Sequence, residues 1–261
     1  MKPLAIDLFC GLGGWTEGLL AEGYYVVGFD VERHVYGEEC YPAQLVLQDV
    51  LTIHGRQFRE ASLIVASPPC QAYSYRAMPW KRAKALPPPD NSLFDACFRI
   101  QREARDAAGW PIPMVVENVR GAIPWVGRSR WNFGSFHLWG DVPALMPMAK
   151  RMKVPGFRFD GSGKSFQSAA VEHTGIKAPG MNWSDPTKRG QDFTRIAGKH
   201  AVDQDTGTKI GGDWFSDPTS TCRRHGSKSK GRKMASAMIA KIPLELSRHI
   251  AATWYPGESC I

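Results

Sequence analysis

A cysteine that follows two prolines is the first candidate for covalent chemistry, in the segment ASPPCQAYS at 66–74. Pro68 and Pro69 end the apolar run before them and stiffen the turn, because a proline ring fixes φ and removes a backbone donor. Cys70 is therefore held out from a rigid turn, where a thiol can act as a nucleophile. A lone cysteine more often fills a core as a small apolar residue. No histidine stands near Cys70 in the sequence to serve as its base, which disfavours protease-type chemistry.

A carboxylate and an amide close a second apolar run, PMVVEN at 113–118, which continues into VVENVRG. At the carboxyl end of a strand, the Glu117 side chain can donate a hydrogen bond to a heterocycle when it is protonated, or accept one when it is ionised. Asn118 stands beside it. The alternative is that the pair caps the next helix.

A glycine-rich turn follows the first apolar run, in DLFCGLGGWTEG at 7–18. In a doubly wound sheet this arrangement places a ligand against the carboxyl end of the strand and the start of the helix. The pattern is not GxGxxG, because Thr16 stands three residues after Gly13, and this weakens a dinucleotide interpretation. A structural turn without a ligand is the alternative.

Two aspartates stand where a nucleoside would need them. Asp30 follows the next apolar run, 19 residues after Gly11, and a carboxylate at that distance typically binds ribose hydroxyls. Asp49 could end a third strand and reach an adenine amino group. Each acid alone is more often a cap or a turn residue, but together they indicate a site for a nucleoside-bearing cofactor.

The elements that position these residues alternate between strand and helix. Apolar runs of strand length are found at 4–9, 24–29, 62–67, 113–118 and 135–139. Helical patterns are found at 16–22, 92–107 and 232–253. Strands that alternate with helices predict an α/β fold, with a doubly wound, mostly parallel sheet.

The second half of the chain carries all of the excess positive charge. Residues 1–125 have 12 Lys and Arg against 14 Asp and Glu, and residues 126–261 have 21 against 11. Between Arg223 and Lys233, the segment RRHGSKSKGRK holds six basic residues and no acid. Such a surface suits a polyanion, although a solvated charged loop is the alternative. Periodicity fails from 146 to 220, which predicts a loop-rich insert.

Length and composition exclude several classes of protein. With 261 residues and 43% hydrophobic residues, the chain can bury a sizeable core, which excludes general disorder. No apolar run approaches the roughly 18 residues of a membrane span, and the N-terminus breaks into glycines where a signal peptide would continue. The six scattered cysteines form no CxxC pair. They predict free thiols in a reducing compartment and no metal site.

Taken in order, these motifs resemble those of the DNA cytosine-5 methyltransferases, in particular the short members encoded by phages and prophages. DLFCGLGG corresponds to the family's FxGxG cofactor loop, PPCQ to its catalytic loop and ENV to its base-binding motif. The resemblance covers 1–125 and resumes at KMASAMIAKIPLELSRHIA, 233–251, which is similar to the family's last motif. It implies a Rossmann-like, S-adenosylmethionine-dependent methyltransferase fold, in the cytoplasm of a bacterial or phage-infected cell.

The resemblance implies a covalent mechanism on a flipped-out base. Cys70 would attack C6 of the cytosine, and Glu117 would hold N3 and the exocyclic amine, with Asn118 beside it. A methyl group would pass from S-adenosylmethionine to C5, leaving S-adenosylhomocysteine, and no metal would take part. Cofactor contacts would come from Phe9, Gly11, Gly13, Asp30, Val31, Asp49, Pro69 and Ser236. DNA contacts would come from Gln71, Ser74, Arg223, Arg224, Lys228 and Lys230.

Two departures from the family pattern concern the arginine motif and the last motif. The family's QxRxR motif, whose arginine helps to hold the cytosine, has no match after ENV. Arg130 is the first candidate for that role, with Arg128 and Arg158 as alternatives, whereas a strand at 135–139 would put Ser135 and His137 at the usual arginine positions. In the last motif, Ser236 stands where the family has Asn.

Three regions are predicted along the chain. Residues 1–140 form a cofactor-binding and catalytic domain, 141–232 a small basic target-recognition region, and 233–261 a C-terminal helix that returns to the catalytic domain. The expected partner is double-stranded DNA, with a cognate restriction endonuclease as a further candidate, and the expected state is a monomer without membrane contact. RNA cytosine-5 methylation, a catalytically impaired DNA-binding relative and an NAD-dependent oxidoreductase stay as alternatives.

Overall fold

A computed structural model describes residues 2–36, 38–76, 85–147, 237 and 240–257. Nearly all of these residues belong to one compact unit, made of Met1–Pro147 and Ile242–Ile261. The other unit, Met148–Lys241, falls almost wholly outside the described residues. Most of the predicted target-recognition region at 141–232 therefore lies outside the description.

Within the described residues, seven strands form one sheet. They are β1 Leu4–Leu8, β2 Tyr25–Asp30, β5 Gln44–Leu47, β6 Ala61–Ala66, β7 Met114–Asn118, β8 Trp131–Phe133 and β9 Phe136–Gly140. Their order is β5-β2-β1-β6-β7-β9-β8, in which β9 runs antiparallel to both neighbours and the other pairs are parallel. A separate ribbon pairs β3, Val35–Tyr36, with β4, Glu39–Cys40. The mostly parallel sheet confirms the predicted fold class.

Helices cover both faces of the sheet. The described α-helices are α1 Gly14–Ala21, α2 Gln71–Arg76, α3 Ser92–Ala108, α4 Ile123–Val126 and α5 Leu244–Thr253. Shorter 3-10 turns span Val50–Thr52, Gly55–Phe58 and Arg120–Ala122. The central strands are almost entirely buried, as expected for parallel strands between two helical layers. None of the helices that the structure describes is long and apolar enough to cross a bilayer.

Helix α5 packs closely on α1, although the two are far apart in the chain. A Cβ on Gly18 would overlap Ser247 Oγ and the backbone of Arg248, so the absence of a side chain at Gly18 permits this approach. Arg248 Nε donates to Glu22 Oε1 at 2.6 Å. Tyr24 OH donates to the Ala251 carbonyl at 3.1 Å. Helix α5 therefore covers the outer face of the helix that follows the glycine-rich turn.

Candidate active site

The turn between β1 and α1 has a backbone that few side chains allow. Phe9, Gly11 and Gly13 have φ values of 58°, 51° and 79°, all in the left-handed region. A Cβ on Gly13 would lie 2.6 Å from Pro42 Cδ, so glycine is required there by conformation and by space. A Cβ on Gly11 would meet nothing within 4 Å, which shows open space beside the turn. A non-glycine residue at positive φ, such as Phe9, is uncommon and often marks a functional turn.

Asp30 ends β2 beside this turn, and backbone donors orient its carboxylate. The Gly11 N–H donates to Oδ2 at 2.9 Å, and the N–H groups of Val31 and Glu32 donate to Oδ1 at 2.8 and 3.3 Å. His34 Nε2 lies 3.7 Å from Oδ1. Burial works against the ionised form, but hydrogen bonds from His34, Gly11 and Glu32 hold the Asp30 pKa below its usual range. Asp30 is therefore an anion fixed next to Gly11.

Two further predicted cofactor residues lie along the same edge of the sheet. Val31 is 69% exposed, which makes it an apolar surface directly after Asp30. Asp49 is exposed two residues after β5, and its Oδ1 accepts from the Leu51 N–H at 2.9 Å. The carboxyl ends of three neighbouring strands, β1, β2 and β5, thus present a turn beside open space, an oriented carboxylate and a second carboxylate.

A buried hydrogen-bonded chain beside the turn was not predicted from the sequence. Thr16 Oγ1 donates to Asp7 Oδ2 at 2.7 Å, and Tyr41 OH lies 2.7 Å from Thr16 Oγ1. Among the described residues, no hydrogen-bond partner reaches the buried Asp7 Oδ1. Burial raises the pKa of Asp7 to about 7; the Thr16 hydroxyl opposes this rise and the charge of Asp30 adds to it. A Cβ on Gly28 would overlap the Tyr41 ring, so glycine there lets Tyr41 reach Thr16.

Cys70 lies four residues past the end of β6, at the start of α2. The cysteine is half-buried, and its carbonyl accepts from the Ser74 N–H at 2.9 Å, so the first helical turn begins at the cysteine. Pro68 is buried and Pro69 is exposed. Trp15 Nε1 donates to Ser67 Oγ at 3.0 Å, and this bond connects the residue before Pro68 to α1.

Glu117 and Asn118 end β7, the neighbour of β6 in the sheet. Glu117 is 8% exposed and Asn118 is fully buried. Asn118 Nδ2 donates to the Pro68 carbonyl at 3.0 Å, and its Oδ1 accepts from the Val119 N–H at 2.8 Å. The amide of Asn118 therefore holds the loop of Cys70 against the strand of Glu117. Cys70 and Glu117 are 47 residues apart in the sequence.

Arg130 and His137, the residues considered in place of the family's arginine, lie at different points near the sheet edge. Arg130 precedes β8 at the edge of the sheet, with an exposed side chain, and β9 separates β8 from β7. His137 lies in β9 and pairs in register with Asn118. Its Nδ1 is 2.9 Å from Ser129 Oγ. Burial lowers the pKa of His137 and the charge of Arg120 lowers it further, so both favour the neutral imidazole.

Of the remaining predicted site residues, two lie on α2 and the others lie outside the residues that the structure describes. Gln71 is exposed and Ser74 is half-buried, both on α2. The other predicted contacts lie outside the described residues: Arg223, Arg224, Lys228, Lys230 and Ser236. Within the described ranges, no cluster of three or more His, Cys, Asp or Glu could hold a metal ion.

Four side chains of this region were not predicted from the sequence: Thr16, Tyr41, Tyr73 and Asn91. Each forms a hydrogen bond with a residue 9 to 25 positions away. The sequence contains a weak signal for one of them, since an Asn directly before a predicted helix is a good capping residue. No periodicity indicates which partner such a side chain takes.

The order of the strands, with one antiparallel strand near the edge and a glycine turn after β1, is that of a Rossmann-like α/β fold. Residues 4–124 match the family model for C-5 cytosine-specific DNA methylase. The family match confirms the resemblance seen in the motifs. A comparison with curated proteins finds no match.

Solved structures of methyltransferases are also similar to the chain. One is a DNA modification methyltransferase encoded within a prophage of E. coli, 21% identical, with a TM-score of 0.33; the alignment covers 47% of this chain and one third (33%) of that one. The Dnmt2 methyltransferase of S. pombe is 12% identical, with a TM-score of 0.44 over 97% of this chain and 98% of that one. The Entamoeba histolytica methyltransferase EhMeth is 12% identical, with a TM-score of 0.41 over 98% of both chains. At these identities, no activity carries over from them.

Methyltransferases of this family use S-adenosylmethionine, and the residues present fit it. Its ribose hydroxyls need a hydrogen-bond acceptor, its adenine an apolar surface, and its sulfonium a negative surrounding. Asp30, fixed beside the open space at Gly11, could supply the acceptor and negative charge, the exposed Val31 the apolar surface, and Asp49 an acceptor for the adenine amino group.

Proposed function

We propose that the chain is a DNA cytosine-5 methyltransferase, which transfers a methyl group from S-adenosylmethionine to C5 of a cytosine flipped out of double-stranded DNA. The observation that carries this proposal is the hydrogen bond from Asn118 Nδ2 to the Pro68 carbonyl. It holds the turn that bears Cys70 against the end of the strand that bears Glu117. A thiol and a carboxyl group held on adjacent strand ends suit nucleophilic attack on a base whose ring nitrogen is protonated.

The chemistry of these two side chains follows from the low reactivity of cytosine. Addition of the Cys70 thiolate to C6 forms an S–C6 bond and breaks the C5–C6 double bond. A proton that Glu117 holds at N3 neutralises the charge that enters the ring, so C5 becomes an enamine carbon. Bound S-adenosylmethionine supplies the methyl group for C5. Transfer of the C5 proton to solvent water then restores the double bond and expels the Cys70 thiolate, and the N3 proton returns to Glu117.

Cofactor binding is assigned to the edge formed by β1, β2 and β5. The oriented carboxylate of Asp30 would bind the ribose, Val31 would pack on the adenine, and Asp49 would bind the adenine amino group. Gly11 would let the cofactor approach the backbone, because no side chain stands there. Arg130 stays a candidate for holding the cytosine, and Ser236 for a cofactor contact.

DNA recognition is assigned to 141–232, the region with the basic cluster between Arg223 and Lys233. Lysine and arginine contacts to phosphates supply affinity, and base-edge contacts supply specificity. Gln71 and Ser74 on α2 would contact DNA next to Cys70. We further propose that the protein acts as a cytoplasmic monomer, with a restriction endonuclease as a candidate partner.

The test is to measure 5-methylcytosine in the DNA and in the RNA of cells that express the protein. Wild-type protein should methylate DNA in one sequence context, read by mass spectrometry and bisulfite sequencing. Cys70→Ala should abolish the product, because the C6 adduct cannot form. Cys40→Ala is the matched control, since Cys40 is an exposed free thiol on β4, and it should leave the product unchanged.

The outcomes separate the candidate functions. Methylcytosine in RNA and not in DNA would contradict the proposed substrate and support an RNA methyltransferase. Methylation that persists in Cys70→Ala would contradict the nucleophile. No product in either nucleic acid would refute the proposed activity. Cofactor binding is read separately: S-adenosylhomocysteine at a hundredfold excess over Kd should stabilise the protein by about 2.7 kcal/mol, and NAD should not.

A further inference from the structure

Tyr73 is a buried phenol three residues after Cys70. Its side chain is 3% exposed, and its ring packs in the main core of the sheet. A buried phenol hydroxyl requires a hydrogen-bond partner. Tyr73 OH donates to Asn91 Oδ1 at 2.9 Å, across 18 residues of sequence. The helix that follows Cys70 is thereby tied to the start of α3.

Asn91 occupies the capping position of α3, yet its side chain does not cap the helix. An asparagine there ordinarily accepts a hydrogen bond from the first turn of its helix. In this chain, the Asn91 amide accepts from Tyr73 and donates through Nδ2 to the Trp125 carbonyl at 3.1 Å. Asp90 accepts from the Ser92 N–H at 2.8 Å instead. The side chain of Asn91 therefore connects Tyr73 to Trp125 and does not cap its own helix.

The bridge of Tyr73, Asn91 and Trp125 connects three segments of the proposed site. Trp125 lies in α4, which follows the strand end that bears Glu117. On the other side of Cys70, Asn118 already holds Pro68. The cysteine is thus tied to the Glu117 side of the sheet both before and after its own position, in each case through a single asparagine amide.

We infer that Tyr73 and Asn91 are positioning residues, which set the placement of Cys70 relative to Glu117 through this bridge. The inference rests on the proposed function for its kinetic consequence. A misplacement of about 1 Å at a reacting group can cost about a hundredfold in rate. Without the bridge, kcat should fall about ten- to hundredfold. The KM for S-adenosylmethionine should stay unchanged, because the residues around Asp30 take no part in the bridge.

The variants are chosen to remove hydrogen bonds and little else. Tyr73→Phe deletes one buried hydroxyl and keeps the ring in the core. Asn91→Ala removes the amide at a position where it does not cap the helix. Tyr75→Phe is the matched control, since it deletes a hydroxyl from a 36% exposed tyrosine on the same helix. The double variant of Tyr73 and Asn91 should lose no more than either single one, because both remove the same bridge.

Two results of the kinetic comparison would overturn the inference. One is a Tyr73→Phe kcat within about twofold of wild type. The other is an equal loss in Tyr75→Phe, or a KM for S-adenosylmethionine that rises in proportion, since either indicates a general structural effect. A tenfold or larger loss of kcat at unchanged KM, with the control unaffected, supports it.

A second readout needs no substrate and separates this inference from the proposed function. Iodoacetamide alkylates Cys70 and Cys40 in the same sample, and peptide mass spectrometry gives the ratio of their rates. If the placement of Cys70 depends on the bridge, Tyr73→Phe should change this ratio at least about threefold, and Tyr75→Phe should not. If wild-type protein methylates neither DNA nor RNA, the proposed function fails, and an unchanged ratio in Tyr73→Phe overturns the bridge independently.

Discussion

The free energy of unfolding should depend on pH through one buried carboxyl group, that of Asp7. Its pKa is about 7 in the folded protein against an ordinary value of 3.8. Because the folded pKa is raised, the folded state keeps a proton that the unfolded chain releases. The contribution of Asp7 to stability is therefore fully present below about pH 4 and is lost as the pH rises through about 7. A difference of about three pKa units corresponds to a loss of about 4 kcal/mol.

The Asp7→Asn variant isolates this effect, because an amide has nearly the same shape and stays neutral at every pH. The difference in free energy of unfolding, variant minus wild type, should rise by about 4 kcal/mol between about pH 4 and about pH 8. Urea unfolding without cofactor, followed by tryptophan fluorescence at several pH values, measures it. Subtracting wild type removes the contributions of all other titrating groups.

Glu103→Gln serves as the contrasting control. Burial opposes ionisation of Glu103, but hydrogen bonds from the Gly55 N–H and from Arg99 lower its pKa. Its contribution should therefore be present above its ordinary pKa and be lost as the pH falls, the opposite direction. A difference between Asp7→Asn and wild type that stays flat from about pH 4 to about pH 8 would refute the reasoning, since it would mean that Asp7 ionises in the folded protein without cost.

Two further perturbations follow from the described contacts. Gly18→Ala should destabilise the protein by about 1–3 kcal/mol, because its Cβ overlaps the backbone at Arg248 on α5. Thermal unfolding measures this, with Gly257→Ala as control because a Cβ there meets nothing within 4 Å; equal melting temperatures would contradict it. Asp30→Ala should raise the KM for S-adenosylmethionine about ten- to hundredfold, as expected for loss of hydrogen bonds to a charged group, with little change in kcat. An unchanged KM in steady-state kinetics would remove Asp30 from the cofactor site.

The strands and the long helix could be predicted because their apolar residues are periodic. The run at 62–67 is observed as Ala61–Ala66, and the helical pattern at 92–107 as Ser92–Ala108. An element that buries one face, or a strand that is buried entirely, has a recognisable pattern of apolar residues in the sequence. The predicted bounds of these elements differ from the observed ones only at the ends. The predicted helix at 232–253 is not continuous: residues 237 and 240 are helical, residues 241–243 are not, and a helix begins again at Leu244, directly after Pro243.

The side-chain partnerships of the site could not be predicted in this way. The pairing of β9 with β7, and thus of His137 with Asn118, depends on a chain reversal that no apolar period records. Asn118 was predicted from its motif, but its bond to Pro68 spans 50 residues. Motif order indicated which residues matter, whereas only the packed sheet shows which of them hold one another.

The contact of α5 with α1 has a consequence for the order in which a newly made chain can fold. Arg248 meets Glu22 across 226 residues, and Tyr24 meets Ala251 across 227. At about 5–20 residues per second, a ribosome needs roughly ten to fifty seconds to make that length of chain. During this interval the strands of the sheet can pair, but α1 lacks the helix that covers it. Nascent chains that stop before Leu244 should therefore leave the face of α1 around Gly18 uncovered.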